Sequence, residues 1–171
     1  MSDGLPRSGV PRVVISGLGV EDRGDDAVGL RVVRGLRAQA DRDVHLLETG
    51  DPLELLDAWQ GAQLAIVCDA VRSGRAAGHV HRIDAGTRTL PREMRLASTH
   101  VLGLGQAVEL ARALGRLPGQ LWIYGIEGDR FGAGTAMSAE VAASVPRVTA
   151  SILEHVARWR RRGEGACTSS P

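Results

Sequence analysis

Short apolar runs alternate along the chain with longer amphipathic stretches, and this alternation predicts the secondary structure. Apolar, β-branched runs closed by glycine or polar residues are typical of strands, whereas an apolar stripe with a period near 3.6 indicates a helix. We predict strands over residues 12–17, 43–49, 62–70, 78–85 and 120–128. We predict helices over residues 27–36, 51–60, 98–117 and 138–162, with Asp25 or Asp26 capping the first and Ser98 or Thr99 opening the third.

Strands that alternate with helices predict an α/β fold, a three-layer α/β/α sandwich with a mostly parallel sheet. One connection departs from this rule. Only residues 71–78, "VRSGRAAG", separate the third and fourth strands. A parallel crossover needs a dozen residues or more, so we predict that the fourth strand is antiparallel and lies at or near an edge.

The domain organisation predicted from composition is simple. A chain of 171 residues suits one domain, and no internal repeat is visible. We expect a flexible N-terminus over residues 1–11, a single α/β/α domain over 12–162 and a disordered C-terminal tail over 163–171.

Charge and composition narrow the classes of function. The net charge is +1 and no apolar run approaches the roughly 18 residues of a membrane helix, so we expect neither nucleic acid nor membrane as a partner. No signal-like segment opens the chain, and its two cysteines lie far apart, which favours a reduced, cytoplasmic protein. The chain contains no lysine, which excludes a Schiff base and a P-loop lysine.

Polar residues collect where the predicted strands end, which in an open α/β sheet is where ligands bind. Asp69 is the sharpest candidate, because a carboxylate that follows the apolar run "LAIVC" is costly to bury without a partner or a cation. The plainer alternative is that Asp69 caps a turn. The other residues expected at this edge are Asp25 and Asp26, Glu48 and Asp51, His100, and Glu127 with Asp129. Two carboxylates and one imidazole there form a plausible three-ligand site for a divalent transition metal, with open positions.

Other classes of site fit the sequence less well. Cys68 precedes Asp69 and points to the opposite face of its strand, so a nucleophilic thiol is disfavoured. The loop "GLGVEDRG" has the spacing GxGxxxxG, and its carboxylates would repel the phosphates of a dinucleotide. A phospho-acceptor receiver domain requires a lysine, and neither a Ser-His-Asp set nor an HExxH motif indicates a general protease.

Five blocks, in order from about Val13 to Ala157, resemble the [NiFe]-hydrogenase maturation endopeptidases: "VVISGLGVEDRGDDAVGLRVV", "AIVCDAVRSGRAAG", "STHVLGLGQAVELARALGRLP", "YGIEG" and "MSAEVAASVPRV". The resemblance implies an α/β/α sandwich with a twisted five-stranded sheet. It also implies an endopeptidase that removes a short C-terminal peptide from the hydrogenase large-subunit precursor once nickel is inserted. The nickel, supplied by that substrate rather than permanently bound, is implied to be the recognition signal.

The resemblance also assigns candidate residues. Matched by motif, the metal-contacting and catalytic residues fall on Asp26, Asp69 and His100, although spacing alone allows Asp25 in place of Asp26. We expect loop support from Gly17, Gly19, Asp25 and Gly29, and a peptide groove lined by Glu48, Thr49 and Gly50.

One position departs from the family pattern. Val20 stands where these endopeptidases usually have asparagine, so the acidic loop lacks a side-chain hydrogen bond there. This departure keeps open a second function, that of a non-proteolytic nickel-site chaperone or sensor with the same fold.

Overall fold

Five strands and four α-helices occupy the part of the chain that the computed structural model describes, residues 12–87 and 103–167. The strands are β1 (Val13–Leu18), β2 (Val44–Thr49), β3 (Leu64–Val71), β4 (Val80–Asp84) and β5 (Gln120–Glu127). The helices are α1 (Val28–Leu36), α2 (Glu54–Ala58), α3 (Leu104–Ala113) and α4 (Ala139–Cys167), and a short 3-10 helix, Gly24–Ala27, precedes α1.

The strands form a single sheet in the order β2-β1-β3-β5-β4. The β1–β2, β1–β3 and β3–β5 pairs are parallel, whereas β4 pairs antiparallel with β5 at the edge. Both the mostly parallel sheet and the antiparallel edge strand predicted from the short third connection are therefore confirmed.

Apolar residues cover both faces of the sheet. Alternate side chains of β3 point to opposite faces: Ile66 and Cys68 contact the cluster formed with α1 and α4, and Ala65 and Val67 contact the cluster formed with α2 and α3. The two layers of helices confirm the three-layer α/β/α sandwich. Among helices in the described part of the chain, none combines the length and apolar character needed to span a membrane.

Several helix boundaries differ from the sequence prediction. Helix α2 covers Glu54–Ala58 rather than 51–60, and α3 ends at Ala113 rather than at 117. Helix α3 begins at Leu104, with Gly103 as its extended N-cap residue, whose amide donates to Gln106 Oε1 at 2.8 Å. The predicted opening at Ser98 or Thr99 lies outside the described residues. Helix α4 continues to Cys167, so its end lies beyond residue 162, where we expected the disordered tail to begin. Helix propagation adds one hydrogen bond per residue once the helix has formed, which extends it through these positions.

The predicted helix cap before α1 is also wrong. Asp25 and Asp26 lie within the 3-10 helix, and neither this helix nor α1 has a side-chain cap at its N-terminus. Both carboxylates instead bond to main-chain amides of loop segments, as described below.

Candidate functional site at the carboxyl edge of the sheet

Glycines allow β1 and α1 to approach closely at the site. A Cβ atom on Gly17 would lie 2.2 Å from the carbonyl oxygen of Gly29, and one on Gly29 would lie 2.3 Å from that of Leu18. Gly19 has a φ of +149°, and a Cβ there would lie 2.0 Å from the carbonyl oxygen of Asp26. Only glycine fits at these three positions without moving the main chain, and their part in loop support stays a prediction.

Asp25 is fully buried and its carboxylate is saturated with donors. Oδ2 accepts the amides of Asp129 and Arg130, each at 2.9 Å, and Oδ1 accepts the amide of Ser138 at 2.7 Å. The Ser138 hydroxyl donates to both oxygens. Burial alone would raise the pKa of Asp25, but these hydrogen bonds outweigh it and hold the pKa below its usual range. The Asp25 carboxylate therefore holds the β5–α4 loop, and the assignment of the metal contact to Asp26 stays a prediction.

Asp26 is buried on the same short helix, with 2% of its surface exposed. Its Oδ2 accepts the main-chain amide of Val20 at 2.9 Å, and the amide of Gly19 donates to the carbonyl oxygen of Thr49 at 3.1 Å. The loop is thus held by main-chain donors, which a valine supplies as well as an asparagine does.

Asp69 lies inside β3, two residues before its end, and is 3% exposed. Its side chain alternates with Cys68 and therefore faces the α2/α3 side of the sheet. Burial, and to a lesser extent the charge of Asp26, raises the pKa of Asp69 to about 8. Two carboxylates, one on the 3-10 helix before α1 and one on β3, thus interact at one buried edge, an arrangement that a cation would neutralise.

Cys68 points away from this carboxylate pair. It is completely buried in the cluster under α1 and α4, and burial raises the pKa of its thiol well above the usual range. A neutral thiol that substrate cannot reach is inert, as the sequence indicated.

His100 lies outside the described residues. The expected convergence of Asp26, Asp69 and His100 therefore stays a prediction. Within residues 12–87 and 103–163, no group of three histidine, cysteine or acidic side chains is placed to hold a metal ion.

The expected groove residues divide between the two faces of β2. Thr49 is buried on the same side as Asp69, and its hydroxyl accepts the amide of Asp51 at 3.0 Å. Gly50 is exposed beside it. Glu48 instead points to the α1 side and pairs with Arg34 at 2.8 Å and Arg37 at 2.6 Å, so the structure does not bring its carboxylate to the crevice.

Glu127 is a buried acid that we expected at this edge of the sheet, but the sequence analysis gave it no role. It is 1% exposed at the end of β5, where Oε1 accepts the amides of Ser73, Gly74 and Arg75 at 2.6, 2.8 and 3.2 Å. Burial would raise its pKa, but hydrogen bonds from Ser73, His81 and Gly74 lower it overall. The carboxylate therefore holds the β3–β4 loop in place.

A cluster near the site contains the residue types of a hydrolytic triad, Ser73, His81 and Glu127. Their arrangement is not that of a triad. The Ser73 hydroxyl and Glu127 Oε2 both contact Nε2 of His81, at 3.2 and 3.1 Å. A triad needs the acid and the serine on different ring nitrogens, so this cluster cannot relay a proton.

Fold and site together define an α/β/α protein with a pair of buried carboxylates at the carboxyl edge of its sheet. The family model of the hydrogenase maturation proteases matches residues 30–155. The chain therefore belongs to the hydrogenase maturation protease family.

Individual relatives agree with this assignment. The hydrogenase expression/formation protein HupD of Thiocapsa roseopersicina is 27% identical over 94% of this chain and 76% of its own. The [NiFe] hydrogenase maturation protease HycI of Thermococcus kodakarensis is 26% identical, with a TM-score of 0.66 over 86% of this chain and 93% of its own. The endopeptidase HybD of E. coli, at 20% identity and a TM-score of 0.69 over 86% and 93%, shares the fold.

Proposed function

We propose that this protein is an endopeptidase that removes a C-terminal peptide from the [NiFe]-hydrogenase large-subunit precursor after nickel insertion, with the bound nickel as its recognition signal. The observation that carries the proposal is the buried pair of Asp26 and Asp69. Burial and, to a lesser extent, the charge of Asp26 raise the pKa of Asp69, and a divalent cation presented by the substrate would offset both effects.

The chemistry of the pair fits a metal held by another protein. Two carboxylates, joined in the proposal by His100, supply too few ligands for a closed structural site and leave positions for the precursor's own cysteines. Nickel therefore enters as part of the substrate, and no permanently bound cofactor is proposed.

Nickel docked at this edge would bring the scissile peptide into the crevice beside Asp69. In hydrolysis, a water oxygen adds to the carbonyl carbon, the C–N bond breaks and the leaving amine takes up a proton. Two roles are consistent with the residues: the metal polarises the carbonyl, or a carboxylate accepts the proton of the attacking water. Asp69 is our candidate for that base, because its carboxylate lies at the buried edge of the sheet where the metal would dock.

The proposal includes the cellular compartment in which the reaction takes place. We place the reaction in the cytoplasm, where a free and buried thiol such as that of Cys68 is stable. The alternative, a nickel-site chaperone or sensor, rested on Val20, but the loop is closed here by the main-chain amide of that residue.

The proposal is tested by mixing the purified protein with nickel-loaded and nickel-free precursor and measuring the precursor's intact mass. Loss of a short C-terminal peptide from the loaded form alone is the expected result. Cleavage of both forms would remove nickel from the recognition step, and binding without a mass change would favour the chaperone.

A further inference from the structure

Two loops beside the carboxylate pair are held rigidly although much of their surface is exposed. The β3–β4 loop, residues 72–79, crosses the end of β5, and three of its amides bond to the buried Glu127 carboxylate. The β5–α4 loop, residues 128–138, is held by the three amides that bond to Asp25. A buried carboxylate thus fixes the main chain of each loop. The exposed side chains of the loops therefore project from fixed positions.

Arg72 joins the two loops. Its Nη2 donates to the carbonyl oxygen of Asp129 at 3.2 Å, and its guanidinium lies 4.7 Å from the centre of the Phe131 ring. The amide of Asp25 donates to the carbonyl oxygen of Arg130 at 2.7 Å, which places the β5–α4 loop directly against the segment that carries Asp26. The joined loops therefore flank the candidate site.

The exposed charge of these loops is positive. They carry Arg72, Arg75, Arg130 and a single acid, Asp129, a net charge of +2 with His79 neutral, against +1 for the whole chain. Within the described residues, none of the three guanidinium groups forms an ion pair. The exposed arginines of α1 and its C-cap differ, because Arg31, Arg34 and Arg37 all pair with glutamates.

We propose that Arg72, Arg75 and Arg130, which we term the arginine rim, bind acidic side chains of the precursor polypeptide while the candidate site engages its metal. This inference rests on the proposed function, since it names a surface for the same substrate. A guanidinium binds a carboxylate through two parallel hydrogen bonds, and the fixed loops reduce the ordering cost of that contact. The rim also offsets the repulsion that Asp26 and Asp69 exert on an acidic segment.

The test compares two double variants with the same change in charge. Arg75→Glu/Arg130→Glu reverses two rim residues whose side chains make no hydrogen bond or ion pair in the described structure. Arg42→Glu/Arg161→Glu reverses two exposed arginines, one before β2 and one near the end of α4. Precursor cleavage is measured at several precursor concentrations, and precursor binding is measured separately by surface plasmon resonance.

We expect the rim variant to raise KM and the dissociation constant about tenfold while kcat changes less than about twofold, which corresponds to about 1.4 kcal/mol of binding free energy. The control variant should stay within about twofold of the wild type. Raising NaCl from about 50 to about 300 mM should weaken wild-type binding more than binding by the rim variant, since salt screens the contact.

Equal KM and binding for the rim and control variants would overturn the inference. If the wild type binds the precursor but does not cleave it, the proposed function is wrong. The dissociation constants of the rim and control variants then still test whether the arginine rim binds the precursor. Should Arg75→Glu/Arg130→Glu fail to fold, Arg75→Gln/Arg130→Gln removes the same charges without reversing them, and about a threefold rise in KM is expected.

Discussion

Ser138 donates both its main-chain amide and its hydroxyl to the carboxylate of Asp25, a residue 113 positions earlier in the chain. This contact ties the start of α4 to the acidic loop after β1. The two adjacent aspartates have different partners. Asp25 accepts donors of the β5–α4 loop, whereas Asp26 accepts the amide of Val20 and its charge contributes to the raised pKa of Asp69.

Asp25→Asn should destabilise the protein by about 2–4 kcal/mol, since an amide cannot accept all the hydrogen bonds that the buried carboxylate accepts. Urea unfolding at neutral pH measures the loss. Asp22→Asn is the matched control at an exposed position with a φ of 62°, which asparagine adopts readily, and it should change stability by less than about 0.5 kcal/mol. Equal stabilities for the two variants would contradict the supporting role of Asp25.

Glu127→Gln should cost about 2–3 kcal/mol at neutral pH, because the β3–β4 loop loses its charged acceptor. The folded state lowers the pKa of Glu127, so its contribution is present above the ordinary value of 4.5 and is lost as pH falls towards the folded pKa. The stability difference between wild type and variant should therefore shrink as pH falls below 4.5. A difference that stays constant down to pH 3 would show that the charge is not involved.

The free energy of unfolding should also depend on pH through the titration of His155. Burial, followed by the charges of Arg82, Arg158 and Arg162, lowers its pKa from 6.5 to about 4, and Nδ1 lies 3.0 Å from the Tyr124 hydroxyl. Because the folded state disfavours the charged ring, wild-type stability should fall by up to about 3 kcal/mol as pH drops from 6.5 to 4. His155→Phe cannot titrate and should remove that part of the slope in thermal unfolding. An unchanged slope would mean that His155 titrates normally.

Gly29→Ala should destabilise by about 3 kcal/mol or more, because its Cβ would lie 2.4 Å from the carbonyl oxygen of Cys68 and force β1, β3 and α1 apart. Gly163→Ala is the control within α4, where no heavy atom lies within 4 Å of the added carbon. That variant should gain about 0.5–1 kcal/mol from helix propensity. Chemical denaturation compares the two, and a mild effect of Gly29→Ala would show that the strand and helix can move apart cheaply.

Elements with local signals were predictable from sequence, and long-range contacts were not. Apolar periodicity marked all five strands, and the short third connection marked β4 as antiparallel. Gly103 as the N-cap of α3 was not predicted, because glycine, serine and threonine are all acceptable N-cap residues and the sequence alone does not choose among them. Local spacing likewise could not show that Asp25 bonds to Ser138.

Glu48 shows a signal that was present but unused. Side chains alternate along β2, so Glu48 shares a face with Leu46, which packs against the α1 cluster, and Thr49 shares one with Leu47. This alternation alone places the Glu48 side chain on the opposite face of the sheet from Asp69. Whether His100 joins Asp26 and Asp69 depends on residues 88–102, outside the described part of the chain.

The most direct test of the carboxylate pair is the initial rate at which Asp69→Asn cleaves nickel-loaded precursor. Asparagine is nearly isosteric and uncharged, so its burial costs less and the fold should persist, which the melting temperature verifies. We predict at least a 100-fold loss of rate relative to wild type, about 2.7 kcal/mol of transition-state stabilisation. A folded Asp69→Asn variant that cleaves at the wild-type rate would contradict the assignment of this site.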